Sequence, residues 1–208
     1  MQAPSILFMG TPDFAVPSLQ ILIENRLPLV GVVTQPDRPS GRGRRFTPPP
    51  VKVLAEAHHL PIFQPERIRD ESFLKIFREL SPELVVVVAF GQILPGEMIT
   101  QPRFGCVNVH PSLLPKYRGA APIQWSLIRG ETATGMTIIR MDEGVDSGDI
   151  LLQETVPIEP EDNCGSLHDR LAILGAEMLF KTIGMLLAGT AHPVKQDHSR
   201  ATLAPRIR

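Results

Sequence analysis

The sequence predicts an α/β fold with a mostly parallel sheet. Along its 208 residues, short apolar runs rich in Val, Leu and Ile alternate with longer amphipathic segments. Gly, Pro or Asn bounds these runs, as is usual at strand ends. The run at residues 84–89 contains no polar side chain, which is typical of a strand buried on both faces. Alternation of strands with helices favours parallel pairing.

Four short runs are predicted as strands, at residues 5–9, 28–34, 84–90 and 106–110. Five amphipathic segments are predicted as helices, at residues 16–25, 51–58, 70–80, 123–129 and 165–187, and Gly189 ends the last of them. Two further β-type runs, residues 135–141 and 149–156, flank a glycine-containing turn and predict an added hairpin or crossing pair. The pattern as a whole predicts a Rossmann-like three-layer α/β/α arrangement.

Charge and cysteine content exclude several classes of protein. Lys and Arg total 21 against 22 Asp and Glu, so any attraction to a polyanion must be local to one segment. The two cysteines, Cys106 and Cys164, belong to no CxxC pair or Cys/His cluster, so neither a disulfide framework nor a metal site is expected. A reducing cytoplasm fits this composition, and no membrane segment is predicted.

Nucleotide-binding motifs are incomplete in this chain. Gly10 ends the first predicted strand, but the following residues lack the second and third glycines that bring a backbone close to a pyrophosphate. No GxxxxGK[ST] phosphate loop occurs. Binding of NAD or FAD and hydrolysis of ATP are therefore not expected.

Polar residues gather at the predicted carboxyl ends of the strands, where α/β sheets form their active sites. Asn108 and His110 lie two apart in one strand, so their side chains share a face. Asn can donate a hydrogen bond to a developing oxyanion, and His can deliver a proton near neutral pH. Asp146, in a glycine-flanked turn, can orient that histidine. These three residues suit acyl or formyl transfer.

Each of these residues also has an ordinary structural interpretation. Asn108 can cap a strand end, His110 can be a satisfied polar residue, and Asp146 can simply form a turn. Cys106 lies on the same strand face, so a nucleophilic Cys–His–Asp set is an alternative, as is a small buried strand residue.

Two segments of the sequence favour a catalytic role for these three residues. Residues 108–125 (NVHPSLLPKYRGAAPIQW), together with residues 141–150 (MDEGVDSGDI), resemble the signature of 10-formyltetrahydrofolate-dependent formyltransferases. The resemblance implies the formyltransferase fold and direct transfer of a formyl group to an amine, with Asn108, His110 and Asp146 as the catalytic residues. It also implies a folate site. That site is lined by Phe90, Gly91, Gln92, Ile93, Leu94, Ser112, Leu113, Leu114, Pro115 and Met141.

A basic loop indicates which molecule accepts the formyl group. Residues 34–52 carry five cations against one acid, Asp37, between glycines and prolines. Guanidinium groups match phosphates and stack on unpaired bases, although a solvated surface loop has the same composition. The loop is similar to the one with which methionyl-tRNA formyltransferases hold the acceptor arm of initiator tRNA. This resemblance implies that the loop binds tRNA through Arg38, Arg42, Arg44, Arg45 and Lys52.

Other functions stay open at this point. Sugar-nucleotide formyltransferases and formyl-folate hydrolases share the signature, and a non-catalytic RNA-binding domain would retain the basic loop. The resemblance implies one catalytic domain over residues 1–208, in which residues 190–208 begin a linker toward a C-terminal tRNA-binding barrel. A cytoplasmic monomer without metal is expected.

Overall fold

The chain is described here from a computed structural model, which covers residues 3–40 and 45–207. It divides into two compact units, Met1–Cys106 and Val107–Arg208. Each unit is described by itself below.

Unit 1 is a parallel sheet with helices between its strands. Four strands pair in parallel in the order β5-β2-β1-β6, and β3 and β4 form a separate antiparallel hairpin. In chain order the elements are β1 (Ile6–Gly10), α1 (Val16–Glu24), β2 (Leu29–Val33), β3 (Arg38–Ser40), β4 (Arg45–Thr47), α2 (Pro50–Ala57), β5 (Ile62–Phe63), α3 (Glu71–Leu80), β6 (Leu84–Val88) and α4 (Gly96–Thr100).

The apolar runs form the core of unit 1 as predicted. All five residues of β1 and all five of β6 are buried, which explains why neither strand alternates apolar with polar side chains. The predicted α/β class and parallel pairing are confirmed. Three short elements, the β3–β4 hairpin, β5 and α4, were not predicted, because strands of two or three residues and a helix of little more than one turn carry too few side chains to show a period.

Unit 2 contains an antiparallel sheet and two helices. Strand β7 (Cys106–His110) begins at the boundary between the units, followed by α5 (Pro122–Ile128), β8 (Ala133–Arg140), β9 (Asp149–Pro157) and α6 (Cys164–Ala188). The sheet runs in the order β7-β8-β9, with both pairings antiparallel. The predicted added pair is therefore a hairpin, and its turn carries Asp146.

Helix α6 has well-defined ends. Asn163 caps it by accepting hydrogen bonds from the backbone N–H groups of Gly165 and Ser166, and the Ser166 hydroxyl returns a bond to the Asn163 N–H. This is a capping box. Gly189, with φ of 67°, ends the helix in the left-handed region that glycine adopts without strain. Next to the cap, the Asp162 carboxylate accepts bonds from the Glu159 N–H, Ser166 and Arg170, which lower its pKa.

The same helix packs closely on the sheet of unit 2. A Cβ added at Gly175 would lie 2.8 Å from Cε of Met136 and 2.9 Å from Cγ1 of Val109, so glycine is needed where helix and strands meet.

By length and composition α6 could also cross a membrane, but 44% of its most apolar stretch is buried inside the protein. Core helices of soluble proteins can have the same length and composition, so these features alone are weak evidence for a membrane span.

Candidate active site

Three polar side chains from β7 and the β8–β9 turn meet around one carboxylate. The strand period places Asn108 and His110 on the same face of β7, as predicted. Asn108 Nδ2 donates to Asp146 Oδ1 at 3.1 Å, and His110 Nδ1 lies 3.6 Å from Asp146 Oδ2. The structure thus brings together three residues that lie up to 38 positions apart in the chain.

The imidazole of His110 is held in one orientation. Its side chain is 4% exposed, and Nε2 lies 3.0 Å from the carbonyl oxygen of Tyr117. A carbonyl only accepts hydrogen bonds, so Nε2 carries a proton in this arrangement. The other ring nitrogen, Nδ1, faces the Asp146 carboxylate. Protonation at Nδ1 would therefore create an ion pair inside a nearly solvent-free site.

Asp146 sits in a backbone conformation that is unusual for a residue with a side chain. Its φ of 48° lies in the left-handed region, which costs roughly 1–2 kcal/mol for a residue other than glycine. The carboxylate is further held by the backbone N–H of Gly119, which donates to Oδ2 at 2.8 Å. A strained residue whose side chain is held by several contacts is typical of functional positions.

A tight turn at residues 117–119 supports both the imidazole and the carboxylate. Its first residue, Tyr117, offers a carbonyl to His110, and its last, Gly119, offers an N–H to Asp146. Gly119 has φ of 117°, and a Cβ there would lie 2.9 Å from the carbonyl oxygen of Ala204. Only glycine fits. Sequence patterns do not reveal this role, because backbone atoms make the contacts and leave no side-chain signal.

The Tyr117 side chain points to a different partner. Its hydroxyl donates to Glu131 Oε1 at 2.5 Å. Burial, helped by this bond, raises the pKa of Tyr117 to about 12, and the same bond, together with Lys116, lowers the pKa of Glu131. The tyrosine stays neutral at physiological pH and contributes its backbone carbonyl, rather than its phenol, to the site.

The alternative Cys–His–Asp set is not supported. Cys106 is completely buried, and burial raises the pKa of its thiol. A thiol must be ionised to attack a carbonyl. Cys106 therefore fits the interpretation as a small buried strand residue.

The family model described as formyl transferase matches residues 5–183.

The chain belongs to the formyl transferase family.

Several curated formyl transferases are similar along nearly the whole chain. The methionyl-tRNA formyltransferase of Syntrophus aciditrophicus is 56% identical over 204 residues, which cover 98% of this chain and 65% of the relative. That of Geobacter metallireducens is 52% identical over 208 residues, or 100% of this chain and 67% of the relative. The chain thus spans about two thirds of the length of these relatives.

Solved formyl transferases share the fold. The phosphoribosylglycinamide formyltransferase from Bacillus halodurans superposes with a TM-score of 0.74 at 20% identity, over 88% of this chain and 95% of that one. An N-formyltransferase from Helicobacter canadensis, solved in complex with folinic acid and dTDP-3-aminofucose, gives 0.71 at 21% identity, over 99% and 71%. The predicted formyltransferase fold is confirmed.

In unit 2 of this formyl transferase, the residues predicted to bind folate form a rigid loop. The Ser112 carbonyl accepts from the Thr137 hydroxyl at 2.6 Å, and the same hydroxyl accepts from the Leu114 N–H at 3.3 Å. Gln153 Nε2 donates to the Leu114 carbonyl at 3.0 Å. Ser112 and Leu114 are buried, whereas the predicted neighbours Leu113, Pro115 and Met141 are partly exposed.

In unit 1 the predicted folate residues follow β6. The Phe90 carbonyl accepts bonds from Thr11 and Gln35. The Gln92 side chain is engaged with the backbone of residues 65–68, since it accepts from the Ile68 N–H at 2.8 Å. Exposure differs along the segment. Phe90 and Leu94 are buried, Gly91 is exposed with φ of 88°, and Ile93 is 68% exposed.

The basic loop is partly described. Its described backbone includes the antiparallel strands β3 and β4, where the sequence predicted a loop. Arg38 is exposed and lies 3.5 Å from Glu66, whereas Lys52 is largely buried and pairs with Asp37 at 2.8 Å. Gln64 also donates to Asp37, and these two bonds lower the pKa of that carboxyl. Arg42, Arg44 and the side chain of Arg45 lie outside the described residues.

No group of three or more His, Cys, Asp or Glu side chains is placed to hold a metal ion within the part of the chain that the structure describes.

Proposed function

We propose that this chain transfers a formyl group from 10-formyltetrahydrofolate to the α-amine of methionyl initiator tRNA, in the cytoplasm. One observation carries the chemistry. A single carboxylate, Asp146, accepts a bond from Asn108 and faces His110 at 3.6 Å. A hydrogen-bond donor, a proton carrier and an orienting acid thus lie within one buried cluster, which is what an acyl transfer without a covalent enzyme intermediate needs.

The reaction step balances with these groups alone. The amine nitrogen attacks the formyl carbon and loses a proton, and the bond between that carbon and N10 of the folate breaks as N10 gains a proton. Asn108 has two N–H donors and gives one to Asp146, so the second can bind the formyl oxygen. His110, charged at Nδ1, stabilises and then protonates the tetrahedral intermediate, while Asp146 balances its charge and helps to take up the proton of the amine.

The choice of acceptor follows from the relatives and the basic loop. Proteins 50–56% identical to this chain are methionyl-tRNA formyltransferases, and the hairpin with its arginines gives a near-neutral protein one strongly basic segment. Arg38, with 64% of its side chain exposed, can reach a phosphate. Lys52 is held by Asp37, so binding of tRNA phosphate by Lys52 would compete with that ion pair.

The formyl donor is supported by family membership and by the bound folinic acid named for the Helicobacter canadensis relative. In unit 2 the partly exposed side chains of Leu113, Pro115 and Met141 are candidate folate contacts. In unit 1 the candidate folate contacts are the exposed Ile93 and the backbone around Gly91.

Incubation of the chain with 10-formyltetrahydrofolate and methionyl-tRNA should yield formylmethionine after hydrolysis of the tRNA ester, and His110→Ala should abolish it. Release of formate without an acceptor would indicate a hydrolase. Transfer to amino sugars alone would indicate a sugar formyltransferase. Binding of tRNA without formyl transfer would indicate a non-catalytic RNA-binding domain. Each of these three results would overturn the proposal.

The loop is tested separately with Arg42→Ala. This variant should raise the KM for methionyl-tRNA and reduce its salt dependence by about one phosphate contact, while folate binding stays unchanged. Arg69→Ala, at an exposed arginine of unit 1 outside the basic loop, is the matched control. An equal effect of both substitutions would show that only the overall charge matters.

A further inference from the structure

The segment after α6 folds back onto the loop that supports the active site. Residues 202–204 run beside residues 117–121. The Arg118 N–H donates to the Thr202 carbonyl at 2.9 Å, and the Ala204 N–H donates to the Arg118 carbonyl at 2.7 Å. Thr202 Oγ1 also accepts from the Tyr117 N–H at 2.8 Å. These residues, predicted as the start of a linker, thus form part of unit 2.

One buried side chain in this segment connects both halves of the site. Gln196 is 5% exposed. Its Nε2 donates to the Asp146 carbonyl at 2.9 Å and to the Gly148 carbonyl at 2.7 Å. Its Oε1 accepts from Nε and Nη2 of Arg118, at 3.2 and 2.6 Å. The carboxamide therefore uses both donors and both acceptor positions at once.

The two connected backbones are the ones that hold the proposed catalytic trio, Asn108, His110 and Asp146. Asp146 carries the carboxylate, and Arg118 lies between Tyr117, whose carbonyl binds His110, and Gly119, whose N–H binds Asp146. The guanidinium of Arg118 is also buried and contacts His198 Nδ1 at 3.1 Å. A shift of either backbone would change the distance between the carboxylate and the imidazole.

We propose that Gln196 is a positioning residue of the formyl-transfer centre, which holds the strained turn at Asp146 against the loop at residues 117–119. The expected loss of kcat rests on the proposed function. The structural role of Gln196, which is to position the Asp146 turn, does not. Gln196 does not touch the reacting atoms. It fixes the carbonyl side of the Asp146 turn, while Gly119 fixes the carboxylate, so the left-handed backbone is held from both ends.

The test uses two substitutions. Gln196→Met keeps the volume and removes all four hydrogen bonds. Gln196→Glu keeps the acceptor for Arg118 and removes both donors to the Asp146 turn, so it stays informative even when the methionine variant fails to fold. Gln124→Met, an exposed glutamine of α5 in the same unit, is the matched control.

Both Gln196 variants should lower kcat about 10- to 100-fold, as expected for misplaced catalytic groups, with the KM of each substrate within about two-fold of wild type. The ring-nitrogen NMR signals of His110 should move in both and stay unchanged in the control. Folded variants with wild-type His110 signals, or with a wild-type kcat, would overturn the proposal. In a wild-type chain that transfers no formyl group, the NMR comparison still decides the positioning role, so the two failures are distinguishable.

Discussion

Substitution of Asp146 by Asn measures how much the carboxylate contributes to the proposed reaction. An amide is almost the same size as a carboxylate. It can still accept the bond from the Gly119 N–H, so the turn should persist. The substitution removes the negative charge facing His110 and one of the two acceptor oxygens, because Asp146 accepts from Asn108 through Oδ1 and from Gly119 through Oδ2.

The expected loss of kcat in Asp146→Asn follows from the distance between His110 and Asp146. Nδ1 of His110 and Oδ2 of Asp146 are 3.6 Å apart, and their side chains are 4% and 15% exposed. Opposite charges near 4 Å attract by about 4 kcal/mol at an effective dielectric constant of about 20. Because each 1.36 kcal/mol corresponds to about a tenfold change in rate, loss of this attraction for the charged His110 that protonates the intermediate should lower kcat about 1,000-fold.

The assay is formyl transfer at saturating concentrations of both substrates, with thermal unfolding as a check on folding. Asp142→Asn is the matched control, because Asp142 lies in the same turn, is exposed, and binds only Gly144 and Ser147 there. It removes one negative charge from the turn without touching the trio. A loss of less than about tenfold for Asp146→Asn, or equal losses for both variants, would refute the electrostatic reasoning.

Three further predictions concern groups around the site. Cys106→Ala should keep kcat within about two-fold of wild type, because a buried thiol with a raised pKa is not a nucleophile; an inactive variant would restore the covalent scheme. In urea unfolding, Gly175→Ala should destabilise the chain by about 1–2 kcal/mol through overpacking, while Gly184→Ala in the same helix, with no atom within 4 Å of the added Cβ, should stabilise it by about 0.5–1 kcal/mol. Asp162, whose pKa is lowered, contributes stability above the unfolded carboxyl pKa of about 3.9, and this contribution is lost as the pH falls through the folded pKa. Asp162→Asn should therefore lower the urea midpoint at neutral pH and lose that difference in acid, and a pH-independent difference would contradict the assignment.

The larger elements could be predicted from sequence because burial imposes a period on them. The apolar run of β6 and the capped, glycine-ended pattern of α6 both appear in the structure within one or two residues of the predicted bounds. The hairpin of β3 and β4 could not be predicted, since its three-residue strands are too short to alternate.

The sequence by itself identified the side chains that we propose to carry the chemistry. Asn108 and His110 share a strand face through the two-residue period, and Asp146 stands in a turn whose glycines mark it. Periodicity acts between near neighbours, so it places residues within one element.

Only the tertiary structure decided what holds those side chains. The carbonyl of Tyr117, the N–H of Gly119 and the carboxamide of Gln196 act through backbone contacts or across up to 78 positions of the chain. Backbone atoms are the same in every residue, and long-range contacts depend on how elements pack. Neither leaves a pattern in the order of amino acids.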